Sequence, residues 1–222
     1  GYGIRYEYGI FEQSIEHGQQ VERGDSWLQQ GNPWELPRHE RTQVVKFSGE
    51  SRPRRTPDGR TVHDWVNAKE VIGLPYDSFI VGHDTKTVNT LRLWSARASR
   101  DFDLGIFNQG DYARAVEEKV EVENISKVLY PNDSVEQGKE LRLKQQYFFV
   151  ACSIADIVRT FKATGHTWEK LPERAAVQLN DTHPAVAIAE LMRVLVDQEG
   201  LPWDTAWELS QATFGYTNHT LL

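Results

Sequence analysis

The stretch from Ala175 to Gly200 constrains the fold most tightly. A short apolar run, Ala175 to Leu179, breaks into Asn180-Asp181-Thr182-His183-Pro184, and an amphipathic helix follows. Ile188, Leu191 or Met192, and Leu195 recur at helical spacing on its inward face. Glu199 and Gly200 close it with Pro202 beyond, as helix ends prefer. A further helix is predicted over residues 203 to 212, then a second short strand over 213 to 220 ending in Tyr216-Thr217-Asn218-His219-Thr220. Strand, helix, strand at this separation predicts parallel pairing, because a parallel crossover needs about a dozen residues or more. In open α/β sheets ligands bind beyond the carboxyl ends of the strands. If the two runs are neighbours, both polar clusters emerge at one edge, and Asp181 and His219 face one cleft. A competing reading has Asp181 or Thr182 capping a helix whose first turn holds Pro184, with His219 a satisfied core histidine. Spacing alone leaves both readings open.

Upstream, residues 1 to 40 are rich in Trp, Tyr, Gly and Pro and read as loops packed by aromatics. Three stretches have β character: 42 to 50, 61 to 76 and 87 to 97. They suggest an antiparallel section whose first two strands are joined by the arginine-rich segment 51 to 60, where Pro53, Pro57 and Asp58-Gly59 mark a solvated hairpin tip. From residue 107 the pattern turns helical. Residues 110 to 130 are charge-dense, with Tyr112, Val116, Val120 and Ile125 as a thin apolar stripe, so this helix is expected to be largely exposed or to meet another subunit. A loop is predicted over 132 to 138. A long core-facing helix is predicted over 139 to 164, with Tyr147, Ala151, Ile154, Val158 and Phe161 inward.

The 222 residues carry a formal net charge of −7 and are 39% hydrophobic, enough to bury the core of one large or two small domains. The chain reads as soluble and globular. Mild acidity without a basic stripe argues against nucleic acid as a partner. No apolar run is long enough for a membrane span, and no signal peptide opens the chain. Cys152 is the one cysteine, which excludes an internal disulfide; it reads as a buried thiol in a reducing, cytoplasmic setting. A start at Gly1-Tyr2-Gly3 and a stop at Leu222 suggest a piece of something longer. The sequence has no glycine-rich dinucleotide or P-loop motif, no GxSxG, and no Cys or His pair at zinc-ligand spacing. No two of its carboxylates can be paired from sequence as the acid and base of a glycosidase.

"QLNDTHPAVAIAELMRVLVD" and "YTNHT" resemble the α-glucan phosphorylases of glycogen, starch and maltodextrin breakdown. The likeness runs in family order through "GYGIRYEYGIFEQ", "WLQQGNPWE", "TVNTLRLWSA", "ENISKVLYPND" and "GKELRLKQQYFFV", covering nearly the whole chain. The resemblance implies an α/β fold, part of the N-terminal Rossmann-like domain of a GT-B glycosyltransferase, with an antiparallel β section and long helices. It divides the chain into a β-rich section 1–106, a tower-like helix 107–130, a gating loop 131–138 and a helix and parallel-strand section 139–222. The implied reaction is attack of inorganic phosphate on the terminal α-1,4 bond of a glucan, releasing glucose 1-phosphate. The family's cofactor is pyridoxal 5′-phosphate, whose lysine falls in a C-terminal domain outside this chain, so the chain alone is expected to be inactive.

The resemblance further implies that His219 touches the sugar, its backbone carbonyl near the anomeric carbon, where oriented dipoles act on developing charge. Asp181 and His183 match residues of a polar pocket beside the glucose site. Asn132 and Asp133 match a mobile loop that gates access, and Arg142 a helix residue near it, a partner for its carboxylate. The tower-like helix implies a homodimer. Ser134, Val135 and Arg159-Thr160 depart from the animal pattern, which implies weak or absent AMP regulation. A second reading is a non-catalytic glucan-binding or dimerising module, with Trp27, Trp34 and Trp65 offered to sugar.

Overall fold

A computed structural model describes residues 1–9, 12–25, 27–99, 110, 116–129, 131 and 133–221. The elements are mixed α/β and fall into two compact units. Gly1–Val44 with Val71–Phe148 form the first, and Val45–Glu70 with Phe149–Leu222 the second. In chain order the strands of the first half are β1 (Tyr2–Ile4), β2 (Glu12–Glu16), β3 (Gln19–Arg23), β4 (Glu35–Pro37), β5 (Gln43–Phe47), β6 (Glu50–Arg55), β7 (Thr61–Val66), β8 (Lys69–Val81) and β9 (Val88–Ala98). There follow α1 (Glu117–Glu123), α2 (Glu136–Lys162), α3 (Leu171–Arg174), β10 (Val177–Asn180), α4 (Ala187–Arg193), α5 (Trp203–Thr213) and β11 (Phe214–Thr217).

The first unit is built on a sheet in the order β1-β9-β8-β4. β8 and β9 pair antiparallel from Val71↔Ala98 to Val81↔Val88, and β4 adds to β8 antiparallel. β1, in the stretch expected to be loop, pairs with β9 in parallel, Ile4 opposite Trp94, so the sheet as a whole is mixed. The expected loops of residues 1 to 40 also hold more strand than anticipated, because β2 and β3 form a hairpin. Trp94 is fully buried and stacks on Tyr2 with ring centroids 6.5 Å apart.

Two buried charge networks clasp this sheet. Asp77 accepts two hydrogen bonds of 2.7 Å from Arg92, its cross-strand partner, and one of 3.0 Å from Arg38. Arg5 donates from Nε to Glu35 at 2.8 Å and pairs with it again through Nη2, while its guanidinium lies 4.1 Å from the centre of the Tyr76 ring. Both satisfy the rule that charge is buried only when paired.

The described part of the charge-dense helix, α1, runs into a 3₁₀ turn at Asn124–Ser126. Val122, Ile125 and Ser126 are buried, whereas Val116 and Val120 of the anticipated stripe are exposed. The inward face is set by Val122, before the 3₁₀ turn begins, and in that turn the buried Ser126 hydroxyl oxygen accepts the Ala96 N–H at 2.9 Å. Tyr112 of that stripe lies outside the described residues.

Helix α2 begins at Glu136, three residues before the expected start, and its first half belongs to the first unit, the remainder to the second. Ala151, Ile154, Val158 and Phe161 are buried as their spacing predicts, but Phe148 rather than Tyr147 is the fully buried ring. Val150, Cys152, Ser153 and Asp156 are buried too, so the helix is covered on more than one face. Burial pushes the Cys152 thiol well above its ordinary pKa. Cys152 is therefore expected to resist a thiol reagent such as DTNB at pH 8 in the folded protein and to react only on unfolding; rapid modification of the native chain would contradict its placement.

In the second unit β6 and β7 pair antiparallel over Glu50↔Val66 to Arg55↔Thr61. The first half of the arginine-rich segment, residues 51 to 55, is thus strand, with residues 56 to 60 as its tip; Pro53 is tolerated because a two-stranded ribbon leaves edges free of ladder bonds. Its charges are matched locally, Arg54 by Asp64 and Arg60 by Asp58. The single β stretch expected over 61 to 76 breaks at Asn67, which takes a left-handed φ of 55°. Gly49 has φ +82°, and a Cβ there would stand 2.5 Å from the Val66 carbonyl oxygen, so only glycine fits.

Candidate functional site

Strands β10 and β11 pair in parallel, Val177 opposite Phe214 through Asn180 opposite Thr217. The crossover between them is α4, its π-helical extension Val194–Gln198, and α5. Leu191, Met192, Val194 and Leu195 from the first helix and Ala206 and Leu209 from the second are buried. The π segment ends with the Glu199 N–H donating to Val194 at 2.9 Å, and Gly200 takes φ +72° to turn the chain out. Pro202 and Asp204 then open α5, the acid sitting where the helix dipole favours it. This crossover is why the two polar clusters leave the strands at the same edge.

Asp181 follows β10 directly and is buried, with a left-handed φ of 63° that aspartate tolerates better than most residues. Its backbone N–H donates to the Thr217 carbonyl at 2.9 Å, extending the parallel ladder by one rung. Its carboxylate accepts from the Tyr216 hydroxyl at 3.1 Å on Oδ1 and from the Thr220 hydroxyl on Oδ2. The bond from Thr220 is the chief cause that lowers its pKa below the ordinary carboxylate value; burial opposes, and Tyr216, the Thr182 N–H and His183 assist. Burial first, and then the hydrogen bond to this carboxylate, raise the pKa of Tyr216.

The helix-cap reading does not hold. Helix α4 starts only at Ala187, its N-cap position is Val186, and no side chain caps it. Pro184 lies in the turn before the helix, where its carbonyl accepts the Ala187 N–H at 2.9 Å. The carboxylate of Asp181 turns instead toward the other strand end. His183 is half-buried two residues beyond Asp181. His219 is exposed, in a turn where the Asn218 side chain accepts the Thr220 N–H at 2.8 Å, so it is not a core histidine.

Asp133 and Arg142 belong to the first unit. Arg142 on α2 donates to Asp133 at 2.9 Å, an exposed pair. Asn132 lies outside the described residues. Of the tryptophans offered to sugar, Trp34 is exposed, but Trp27 donates its indole N–H to the Tyr6 carbonyl and Trp65 donates its own to the Ser48 carbonyl. Sequence reasoning named neither Tyr216 nor Thr220 as part of the site. Both stand in the same polar cluster as His219, and a hydroxyl on each side of a strand-end histidine was the available signal.

A family model described as carbohydrate phosphorylase matches residues 1–222. The chain belongs to the carbohydrate phosphorylase family. Within it, a glycogen phosphorylase of Synechocystis sp. is 52% identical over 222 residues. The liver form of glycogen phosphorylase from Homo sapiens is 54% identical over 230, and a glycogen phosphorylase of Chlamydia pneumoniae 50% identical over 222. Each comparison takes in all of this chain, yet the chain spans only about a quarter of the length of these curated relatives, 26% of the first and 27% of the others.

Lys139, Lys144, Lys162 and Lys170 do not fit an imine-forming cofactor. Such a lysine needs a sheltered amine, whereas the side chains of Lys139, Lys162 and Lys170 are exposed and ion-paired with Glu136, Glu199 and Glu173. The pKa of Lys144 is raised, chiefly by its hydrogen bond to Glu140. A cavity of about 810 Å³ between the β6–β7 hairpin and helices α4 and α5 has arginines but no lysine in its lining. Among the described residues no group of three or more His, Cys, Asp or Glu is placed to hold a metal ion, and no helix is long and apolar enough to cross a membrane.

Proposed function

We propose that this chain is part of an α-glucan phosphorylase, in which inorganic phosphate cleaves the terminal α-1,4 bond of a glucan and releases glucose 1-phosphate. The observation that carries the reading is the match of the whole chain to the carbohydrate phosphorylase family, at about half identity to proteins named glycogen phosphorylase. The juxtaposed strand ends support it. A cluster bearing one exposed histidine beside a buried carboxylate suits a neutral, hydroxyl-rich substrate better than a polyanion.

On this reading His219 is the residue at the reacting sugar. Its backbone carbonyl presents a negative dipole to the anomeric carbon as positive charge develops there, and its ring meets the sugar's hydroxyls. Asp181 and His183 line the polar side of the same pocket. Asn132 and Asp133 belong to the loop that gates access, with Arg142 holding the Asp133 carboxylate when that loop rests. The pair is exposed, so it breaks at little cost, as a gate requires.

The larger assignments go with it. The chain is one wall of a GT-B cleft, and pyridoxal 5′-phosphate is bound by a part of the protein outside this chain. The protein is a cytoplasmic homodimer joined in part through the helix of residues 107–130. The chain alone does not catalyse the reaction.

The test is phosphate-dependent release of glucose 1-phosphate from maltoheptaose by the full-length protein, wild type against His219→Ala. A fall in kcat of about a hundred-fold or more is expected from the lost contacts at the reacting sugar. Wild-type protein that is folded and carries its cofactor but shows no phosphorolysis would overturn the assignment.

A further inference from the structure

We infer that Asp181 is a positioning residue: its buried carboxylate, taken up by the Tyr216 hydroxyl on one oxygen and the Thr220 hydroxyl on the other, fixes the turn that carries His219. The inference rests on the site proposed above and gives one of its residues a duty different from lining a sugar pocket. His219 is exposed, so burial does not hold it in place. The two hydroxyl donors flank it in sequence, three residues before and one after, and both converge on a single side chain.

The backbone completes the clamp. The Asp181 N–H donates to the Thr217 carbonyl at 2.9 Å, and within the turn the Thr220 N–H donates to Asn218 Oδ1 at 2.8 Å. Residues 217 to 220 are thereby tied at their start by the main chain and at their end by the Asp181 carboxylate. An ionised acceptor makes these hydroxyl bonds stronger than a neutral one would. Tyr216 and Thr220 are themselves exposed, so their hydroxyls form a lid over the buried carboxylate rather than adding to a core. Their value lies in geometry, because a misplacement of about 1 Å at a reacting centre costs about a hundred-fold in rate.

The experiment uses the full-length protein with phosphate and maltoheptaose, and compares Tyr216→Phe, Thr220→Val, Thr220→Ser and the double variant Tyr216→Phe/Thr220→Val. Each single loss of a hydroxyl is expected to lower kcat about ten-fold, with the KM for maltoheptaose within about two-fold and the thermal midpoint unchanged. The double variant is expected to lose about a hundred-fold, and Thr220→Ser, which keeps the donor, to stay within about two-fold of wild type. Wild-type kcat in the Phe and Val variants would overturn the inference, as would a loss confined to KM, or a serine variant as impaired as the valine one. If the wild type shows no phosphorolysis, the proposed reaction fails, and the clamp is judged by amide exchange at Asn218 and His219. Faster exchange in Tyr216→Phe supports it; unchanged exchange overturns it.

Discussion

Asp77→Ala is expected to destabilise the protein by about 3 kcal/mol in equilibrium urea unfolding, one of the largest single-residue losses in the chain. Asp77 is 1% exposed, and Arg92, its main partner, is nearly as deep at 13%. Removing the carboxylate takes two hydrogen bonds from the largely buried Arg92 guanidinium and one from Arg38, and it is the cost of leaving buried charge less well paired that sets the size of the effect. Asp77→Asn keeps the shape and one acceptor oxygen, so a smaller loss of about 2 kcal/mol is expected. Burial raises the Asp77 pKa, but the hydrogen bonds and charge of Arg92, with the charge of Arg38, outweigh it, and the net shift is downward from the ordinary value of 3.8. The unfolded chain then binds this proton more readily than the folded one, so stability rises with pH between the folded pKa and 3.8. The contribution is fully present above that window and is lost as pH falls through the folded pKa. Wild type and Asp77→Asn should therefore differ at neutral pH and converge at the acid end. A gap that stays constant on acidification would show that the carboxylate charge is not what holds β8 to β9.

Leu195→Ala is expected to cost about 3 kcal/mol by the same measurement, the usual loss for a fully buried leucine whose surroundings relax only in part. Leu195 is fully buried in the π-helical turn after α4, where its carbonyl accepts the Leu201 N–H at 2.8 Å. That bond belongs to the backbone and survives the substitution, so the loss reports packing of the crossover alone. Val196→Ala, one residue on at a half-buried position, should cost clearly less. Equal losses at the two positions would mean that Leu195 is not the inward side of the turn.

The parts of the fold that were legible are those with a strong period. Helix α2 announced itself through Ala151, Ile154, Val158 and Phe161, and the parallel pairing of β10 and β11 followed from the length of the crossover between them. What escaped had no period to read. β6 is exposed at every position, so its strand carries no alternation, and only pairing with β7 defines it. β1 is three residues long with a glycine at its centre, and its register is set by Trp94 on a strand remote in sequence. The buried partnership of Arg5 with Glu35 is equally non-local. At the candidate site, Asp181, His183 and His219 were visible as polar residues where a strand should stop. The use made of Asp181 was not, because a local cap and a distant pair of hydroxyls are equally consistent with an aspartate at that position; only the φ of +63° and the converging donors decide.

The rung between the Asp181 N–H and the Thr217 carbonyl has a consequence for how this region opens and closes. Everything it aligns, from β10 through the two helices to Thr220, is one uninterrupted length of chain, joined end to end by four backbone pairings and that final bond. Such a unit unfolds and refolds as a cooperative foldon. Its non-local step is the closure of a single loop whose helices form quickly on their own. The amides of β10 should accordingly exchange with solvent at a common rate, and each opening event should erase and then restore the placement of His219 all at once.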